Sequence, residues 1–203
     1  MSVRSLALVT LVTLGTAGVA AADEAPPLSF AVATGAALPA PSTHLGTGLS
    51  VGVDASWRPR FAAGWLAVVL DLDASQRTAS GSGTQDGVAF DWRTVARELW
   101  IAPGLELRVP LVRDVSLSLG GGPALVLVST VNGGALVGEP FADGREASAI
   151  LGVRGGLGAE WRLAGGALVL TASYGYARVS QRATGTDAHL DAIGVRVGYR
   201  FWF

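Results

Sequence analysis

The 203-residue chain has no cysteine, no lysine and only two histidines. With no disulfides to draw on, the fold must be held by burial and strand pairing. A biased genome composition accounts for the missing lysine, and nothing structural follows from it. The net charge is −1, which gives no indication of nucleic acid or of a polybasic contact with a membrane surface. Beyond the amino-terminal segment, no stretch approaches the ~18–20 consecutive apolar residues of a membrane helix. Yet half of all residues are hydrophobic and the mean hydropathy is positive. High hydropathy without a spanning helix fits a chain whose apolar residues occupy every second position, and a large soluble core would give the same composition. No glycine loop stands in a phosphate-binding context, and no zinc-ligand spacing occurs.

The amino terminus has the features of an export signal. Arg4 precedes an apolar stretch from Leu6 to Val19, followed by Ala20, Ala21 and Ala22 and then Asp23 and Glu24. A short basic region, an apolar centre and a small-residue cleavage site define a secretory signal peptide over residues 1–22, cut after Ala22. A retained membrane helix fits less well, because the stretch is short and an acidic pair and two prolines follow it. Residues 23–203 are enough for one domain.

From Asp191 to Phe203 the sequence DAIGVRVGYRFWF separates by alternate positions. Ile193, Val195, Val197, Tyr199, Phe201 and Phe203 fall on one side; Ala192, Gly194, Arg196, Gly198, Arg200 and Trp202 fall on the other. A period of two is a strand. The pattern recurs in Leu151, Val153, Leu157, Ala159 and Trp161 against Gly152, Arg154, Gly156, Gly158, Glu160 and Arg162, and in Leu66, Val68, Leu70 and Leu72 against Ala67, Val69, Asp71 and Asp73. It recurs again in Ile101, Leu105, Leu107 and Val109 against Ala102, Gly104, Glu106 and Arg108, in Leu49, Val51 and Val53 against Ser50, Gly52 and Asp54, and along 115–127. Eight strands are expected, over Leu28–Leu38, Leu45–Arg58, Gly64–Arg77, Trp92–Pro110, Val115–Thr130, Ala147–Arg162, Ala167–Gln181 and Asp191–Phe203. The first is small on both faces, and its register stays open.

The connections alternate in length. Arg58–Ala63, Pro110–Asp114 and Leu163–Gly166 are tight; Thr78–Asp91, Val131–Ala147 and Arg182–Leu190 are polar and mostly longer, and Pro39–His44 is short but polar. Short turns on one side and longer polar connections on the other mark outer-membrane barrels, in which apolar side chains face lipid and charge faces the lumen. The expected fold is all-β: an eight-stranded antiparallel up-and-down transmembrane β-barrel after a cleaved signal peptide, with both ends of the domain in the periplasm. A soluble calycin-like barrel is the alternative, and it would be recovered in the periplasmic fraction without detergent. Trp57, Trp65 and Trp161, with Tyr174 and Tyr176 higher on strand seven, fit aromatic girdles at the two interfaces. Trp202, Phe61, Phe201 and Phe203 also lie near the periplasmic ends. Ordinary core aromatics are the plainer reading.

Tyr199, Phe201 and Phe203 carry a resemblance to the small eight-stranded outer-membrane barrels, such as the transmembrane domain of outer membrane protein A and the opacity-type surface proteins. They look like the C-terminal aromatic signal that the barrel assembly machinery reads in that group. The resemblance implies a bacterial outer-membrane location, partners in outer-membrane lipids and that machinery, and no cofactor. It covers nearly all of the mature chain but is architectural, and no motif names a subfamily. The sequence departs from outer membrane protein A in having no globular domain after Phe203, so peptidoglycan tethering by such a domain is not implied.

Alternation places Asp54, Asp71, Asp73, Glu106 and Glu160 in the lumen with Arg58, Arg108, Arg154, Arg162, Arg196 and Arg200. Counted from the periplasmic turns, Asp54, Glu106, Arg108, Glu160 and Arg200 form a lower layer and Asp71, Asp73, Arg154 and Arg196 a higher one. Mixed signs at matched heights point to an ion network filling the barrel, whereas a selective pore calls for a ring of one sign. Arg58 and Arg162 read equally well as solvated residues near a rim. Arg178 falls on the lipid-facing parity at the external interface, where it either meets anionic headgroups or sits on an exposed strand extension. Pro103 and the Gly-Gly-Gly-Pro run ending at Pro123 read as a soft seam in the wall or, by preference, as a pair of β-bulges. Asp187, His189 and Asp191 share a strand face, but a D-x-H-x-D run with no supporting shell is a weak metal or base site, and His44 beside Thr43 aligns no nucleophile. The leading expectation is a non-enzymatic barrel with a plugged lumen and mobile external loops at Thr78–Asp91 and Val131–Ala147 that serve envelope integrity or surface contact. A narrow transporter of small or apolar molecules is the alternative. A lipid-modifying enzyme using His189 comes third.

Overall fold

A computed structural model describes residues 27–40, 45–62, 64–85, 87–136, 139–163, 165–181 and 186–203. The signal peptide expected over 1–22, and His44, lie outside these residues. Eight strands follow in order: β1 Leu28–Leu38, β2 Gly48–Trp57, β3 Leu66–Gln85, β4 Val88–Val112, β5 Val115–Leu136, β6 Glu139–Leu163, β7 Gly166–Gln181 and β8 Thr186–Trp202. Each pairs antiparallel with the next, and β8 pairs with β1, so the sheet closes on itself. Stepping across the pairings from Leu28 leads through Trp57, Val68, Leu105, Gly121, Gly155, Tyr174 and Ile193 back to β1 at Leu38, ten residues along. A stagger of that kind tilts the strands by roughly 35–45° from the barrel axis.

The two faces separate by chemistry. Leu151 is 80% exposed, and Val153, Leu157, Val197 and Phe201 are exposed with it. Their neighbours in the chain, Arg154, Glu160, Arg196 and Arg200, are buried. The apolar residues thus coat the outside and the charges line the inside, the reverse of a soluble core. The first strand, left without a register by its small residues, turns Ser29, Ala31 and Ala37 inward and Phe30 and Val32 outward.

Three features differ from the sequence expectation. First, the stretches expected as mobile loops are largely strand. The β3–β4 ladder runs on to Gln85 opposite Val88, and the β5–β6 ladder to Leu136 opposite Glu139. Aromatic rings cover the glycines of this segment, and the strand continues through them: Trp92 lies over Gly81 and Phe90 over Gly83 on the paired strand. The turn comes at Gly87, with φ of 80°. Asp86–Gly87 is the short-range hairpin signal that marks it in the sequence. Second, β8 starts earlier than Asp191, at Thr186. Third, the turn after β2 carries a short 3-10 helix, Arg60–Ala62.

The β-bulges expected at Pro103 and Pro123 are also absent. Ile101 faces Leu125 and Leu105 faces Gly121 in one unbroken register, which sets the two prolines opposite each other. The register shifts that do occur between these strands and their neighbours lie elsewhere, between Pro110 and Val112 and between Asn132 and Gly134. Neither proline has an N–H to give, so two interstrand hydrogen bonds are missing and both prolyl carbonyls lose their donors. Behind this gap the inner wall is bare glycine, and a cavity of about 100 Å³ lies against Gly104, Gly120, Gly122 and Gly156. Backbone left unpaired at membrane depth is tolerated where it lines such a space. Changing both prolines to valine restores the donors on strands whose outer face accepts valine. The double variant in lipid vesicles should resist urea by about 1–3 kcal/mol more than the wild type; an unchanged or lower unfolding free energy contradicts this account of the gap.

Candidate functional site

Closing eight strands leaves an interior just wide enough for side chains to meet across it. The inward positions carry charge at three heights. Nearest the end with the tight turns, Arg200 Nη2 lies 2.8 Å from Asp54 Oδ1, and its Nη1 lies 3.5 Å from Glu106 Oε1 and pairs with Glu160. Arg108 reaches the same two glutamates, 3.4 Å from Glu106 and hydrogen-bonded to Glu160. Above this layer, Arg154 and Arg196 share Asp71 and Asp73. Arg154 lies 3.0 Å from Asp71 and donates to Asp73; Arg196 lies 3.1 Å from Asp71 and 3.3 Å from Asp73. Ser50 donates to Asp73 at 2.8 Å, and Ser173 accepts from Arg154 at 3.0 Å.

The third height escapes the sequence reading. Arg77 pairs with Glu98, both with fully buried side chains, and also donates to the Asp191 carbonyl at 3.2 Å. Trp100 donates its indole N–H to the same glutamate at 3.1 Å, and its ring lies 5.6 Å from the Arg154 guanidinium, which ties this layer to the one below. The signal is present in the alternation: Arg77 continues the face of Asp71 and Asp73, and Glu98 that of Glu106. Around Trp100 an apolar cluster of Val126, Ala177 and Leu190 occupies the interior.

Glycine opposite arginine makes this packing possible. A Cβ at Gly52 would overlap the Arg196 guanidinium, and one at Gly175 would come within 2.7 Å of the Trp100 ring. Small residues on one wall leave the width that long side chains on the facing wall fill.

Arg58 and Arg162 behave differently from the network. Arg162 is exposed and stacks over the Trp202 ring at 5.3 Å. Arg58, just past β2, is 4% exposed, yet its three guanidinium nitrogens have no hydrogen-bond partner. Burial, and then the nearby charge of Arg108, bring its pKa down to about 10. Trp57, Trp65, Trp161 and Tyr174 are exposed on the outer face, and Tyr176 is half-buried. Tyr199 and Phe201 pack edge-on at 4.9 Å on that face, and the Phe203 N–H donates to the Leu28 carbonyl at 3.0 Å, which anchors the last residue to β1. Arg178 is exposed opposite His189. Asp187 and His189 lie on β8, but their side chains fall outside the described set. Among the described residues no group of acidic, histidine or cysteine side chains could hold a metal.

The two kinds of arginine should respond oppositely to removal. Arg200→Met leaves buried carboxylates uncompensated and should lower unfolding free energy by about 3–5 kcal/mol. A cation whose folded pKa is depressed subtracts stability at every pH below that value, and the penalty fades only above about pH 10 for Arg58. Arg58→Gln should therefore be neutral or stabilising by up to roughly 3 kcal/mol at pH 7, and equal losses in both variants would contradict this contrast. Urea titration of the refolded variants reads both.

The family model described as "Outer membrane protein beta-barrel domain" matches residues 7–201. No curated protein matches the chain. Among solved structures, Neisserial surface protein A is similar at 17% identity over 87% of this chain and 96% of that one, with a TM-score of 0.46. Ail, the attachment invasion locus protein of Yersinia pestis, is similar at 14% identity, 86% and 96% coverage, and a TM-score of 0.40. A major outer membrane protein from Thermus thermophilus is similar at 14% identity, 86% and 98% coverage, and a TM-score of 0.48. The family match alone decides the assignment: this chain belongs to the outer membrane protein β-barrel family, and its place is the bacterial outer membrane.

Proposed function

We propose that this chain is a non-conducting, non-enzymatic barrel that contributes to the envelope as an integral structural element and presents a rigid sheet at the cell surface. The observation that supports a closed lumen is the network itself. Five arginines, at 77, 108, 154, 196 and 200, and six carboxylates pair across the interior at three heights. Opposite charges at contact distance hold one another, and an ion crossing the barrel would have to break several buried pairs in succession. The apolar packing around Trp100 argues in the same direction against a greasy tunnel for apolar molecules. The cavity of about 100 Å³ between the layers is room for a few waters.

The surface role is supported by unequal strand lengths. Strands β3 to β6 run to 20, 25, 22 and 25 residues, against 11 and 10 for β1 and β2 and 16 and 17 for β7 and β8. Four strands thus continue past the rim as a sheet whose inward face bears Phe90, Trp92 and Thr94. A hydrogen-bonded sheet keeps its shape where a loop would not, so a partner meeting it pays less ordering entropy.

Planar-bilayer recording of the purified protein tests the reading. The wild type should show no stable open channel, and a variant with Arg200→Ala, Glu160→Ala and Arg154→Ala should leak small ions. Large, long-lived conductance from the wild type would overturn the proposal.

A further inference from the structure

One buried side chain costs stability and makes no contact that the fold uses. Arg58 is almost wholly buried, and none of its guanidinium nitrogens has a hydrogen-bond partner. Every other buried arginine among the described residues lays at least one nitrogen against a carboxylate. Glu160 and Glu106, the carboxylates whose charge reaches Arg58, are already engaged, each by both Arg108 and Arg200. The largest charge effect on Arg58 is repulsive and comes from Arg108. Native chains leave buried polar groups unsatisfied mainly where function requires it. A guanidinium with five unused N–H groups is a site for an acceptor.

A second unused donor lies at the same mouth, the end with the tight turns. Ser56, Ser29 and Trp202 stand side by side across β2, β1 and β8, and Arg58 is the next inward position beyond Ser56. The Ser29 and Ser56 hydroxyls bond each other at 2.6 Å. The Trp202 indole nitrogen is buried without a partner. Over that ring lies Arg162, which is exposed and pairs with no carboxylate among the described residues. Water could satisfy these N–H groups but would not balance the charge. The four guanidiniums of Arg58, Arg108, Arg162 and Arg200 meet the three carboxylates of Asp54, Glu106 and Glu160. The layers above are balanced, Arg154 and Arg196 against Asp71 and Asp73, and Arg77 against Glu98. The mouth is short of one negative charge.

A carboxylate supplies what is missing. Its two oxygens match the planar guanidinium fork, and it carries a single charge, whereas the second charge of a phosphate monoester would exceed the deficit. Arg58 lies beyond the last residue of β2 and holds no side-chain bond, so it can shift toward an entering ligand without breaking a pair. We propose that the tight-turn mouth of the barrel is a carboxylate-binding site, in which Arg58 takes the carboxylate in its fork, Trp202 donates its indole N–H to it and Arg162 covers it from solvent. The carboxylate belongs to a small free acid or to the end of a peptide; the chemistry that recognises it is the same. The stability that Arg58 costs the empty barrel is then the counterpart of its use in binding.

Indole N–H correlation spectra of the nitrogen-labelled full chain in lipid nanodiscs provide the test, with Trp202→Phe used to identify the Trp202 signal. The probes are acetate, N-acetyl-alanyl-alanine and the C-terminal amide of that dipeptide, each compared with sodium chloride at equal ionic strength. The Trp202 signal should shift saturably with at least one of the two acids, and the urea midpoint should rise with the same acid. A response to acetate alone assigns the site to a free small acid, and a response to the dipeptide acid alone assigns it to a chain end; either supports the proposal, as does a response to both. Arg58→Gln should bind about tenfold more weakly or worse, and heat-dependent migration on gels reports that it is folded before binding is read. No saturable shift with either acid leaves the mouth to water and overturns the proposal. So does an equal shift with the amide or with chloride, or undiminished binding by folded Arg58→Gln.

Discussion

In hydrocarbon every backbone N–H and C=O must find its partner within the protein, and a strand can do so only if both of its edges are paired. The pairing of β8 with β1 satisfies that demand, and the rest of the structure follows from it. Closure forces a stagger and a tilt, and it sends alternate side chains to two solvents of opposite kind. Outside, leucine, valine and the aromatic rings meet lipid. Inside, eight strands enclose too little room for bulk water and too much for small side chains alone.

The interior is filled by pairing long residues with absent ones. Arginine from β6 and β8 reaches across to carboxylates on β2, β3 and β4, over inner walls built of glycine, alanine and serine. Buried ion pairs are poor sources of net stability compared with well-packed apolar residues, so their value here lies elsewhere. A slip of one residue in any strand would turn its charges into the bilayer and its leucines into the lumen, which makes the network a specifier of register. Arg58 stands apart as a buried cation without a hydrogen-bonding partner, close to Arg108 and at the mouth of the barrel. It shows that not every inward charge belongs to the network.

The fold was legible because its strongest signal is local and periodic. DAIGVRVGYRFWF states its two faces without reference to any other strand, and the same alternation in five further strands left little freedom beyond closure. What was not legible depends on contacts between strands. Thr78–Asp91 reads as a loop by composition, yet Trp92 and Phe90 cover the very glycines that suggest flexibility, and Gly87 supplies the turn. Folding the hairpin about Arg113 sets the Pro103 and Pro123 segments opposite each other and reads as a pair of β-bulges, while the unbroken register through them emerges only from the structure. Arg77 and Glu98 lie on the inner parity, but Arg77 ends its expected strand, where a charge suggests solvent, and only the pairing of β3 with β4 brings the two together as a fully buried pair.

Depth-dependent quenching most directly tests whether grease faces lipid and ions face inward. Single cysteines at Leu119, Leu157 and Val197, and separately at Ser118, Gly158 and Ala167, would each carry a small fluorophore in vesicles containing brominated lipid. Strong quenching at the first three positions and weak quenching at the three inward-facing ones is the predicted result. Equal quenching in both sets, or the reverse order, would contradict the architecture from which every other conclusion descends.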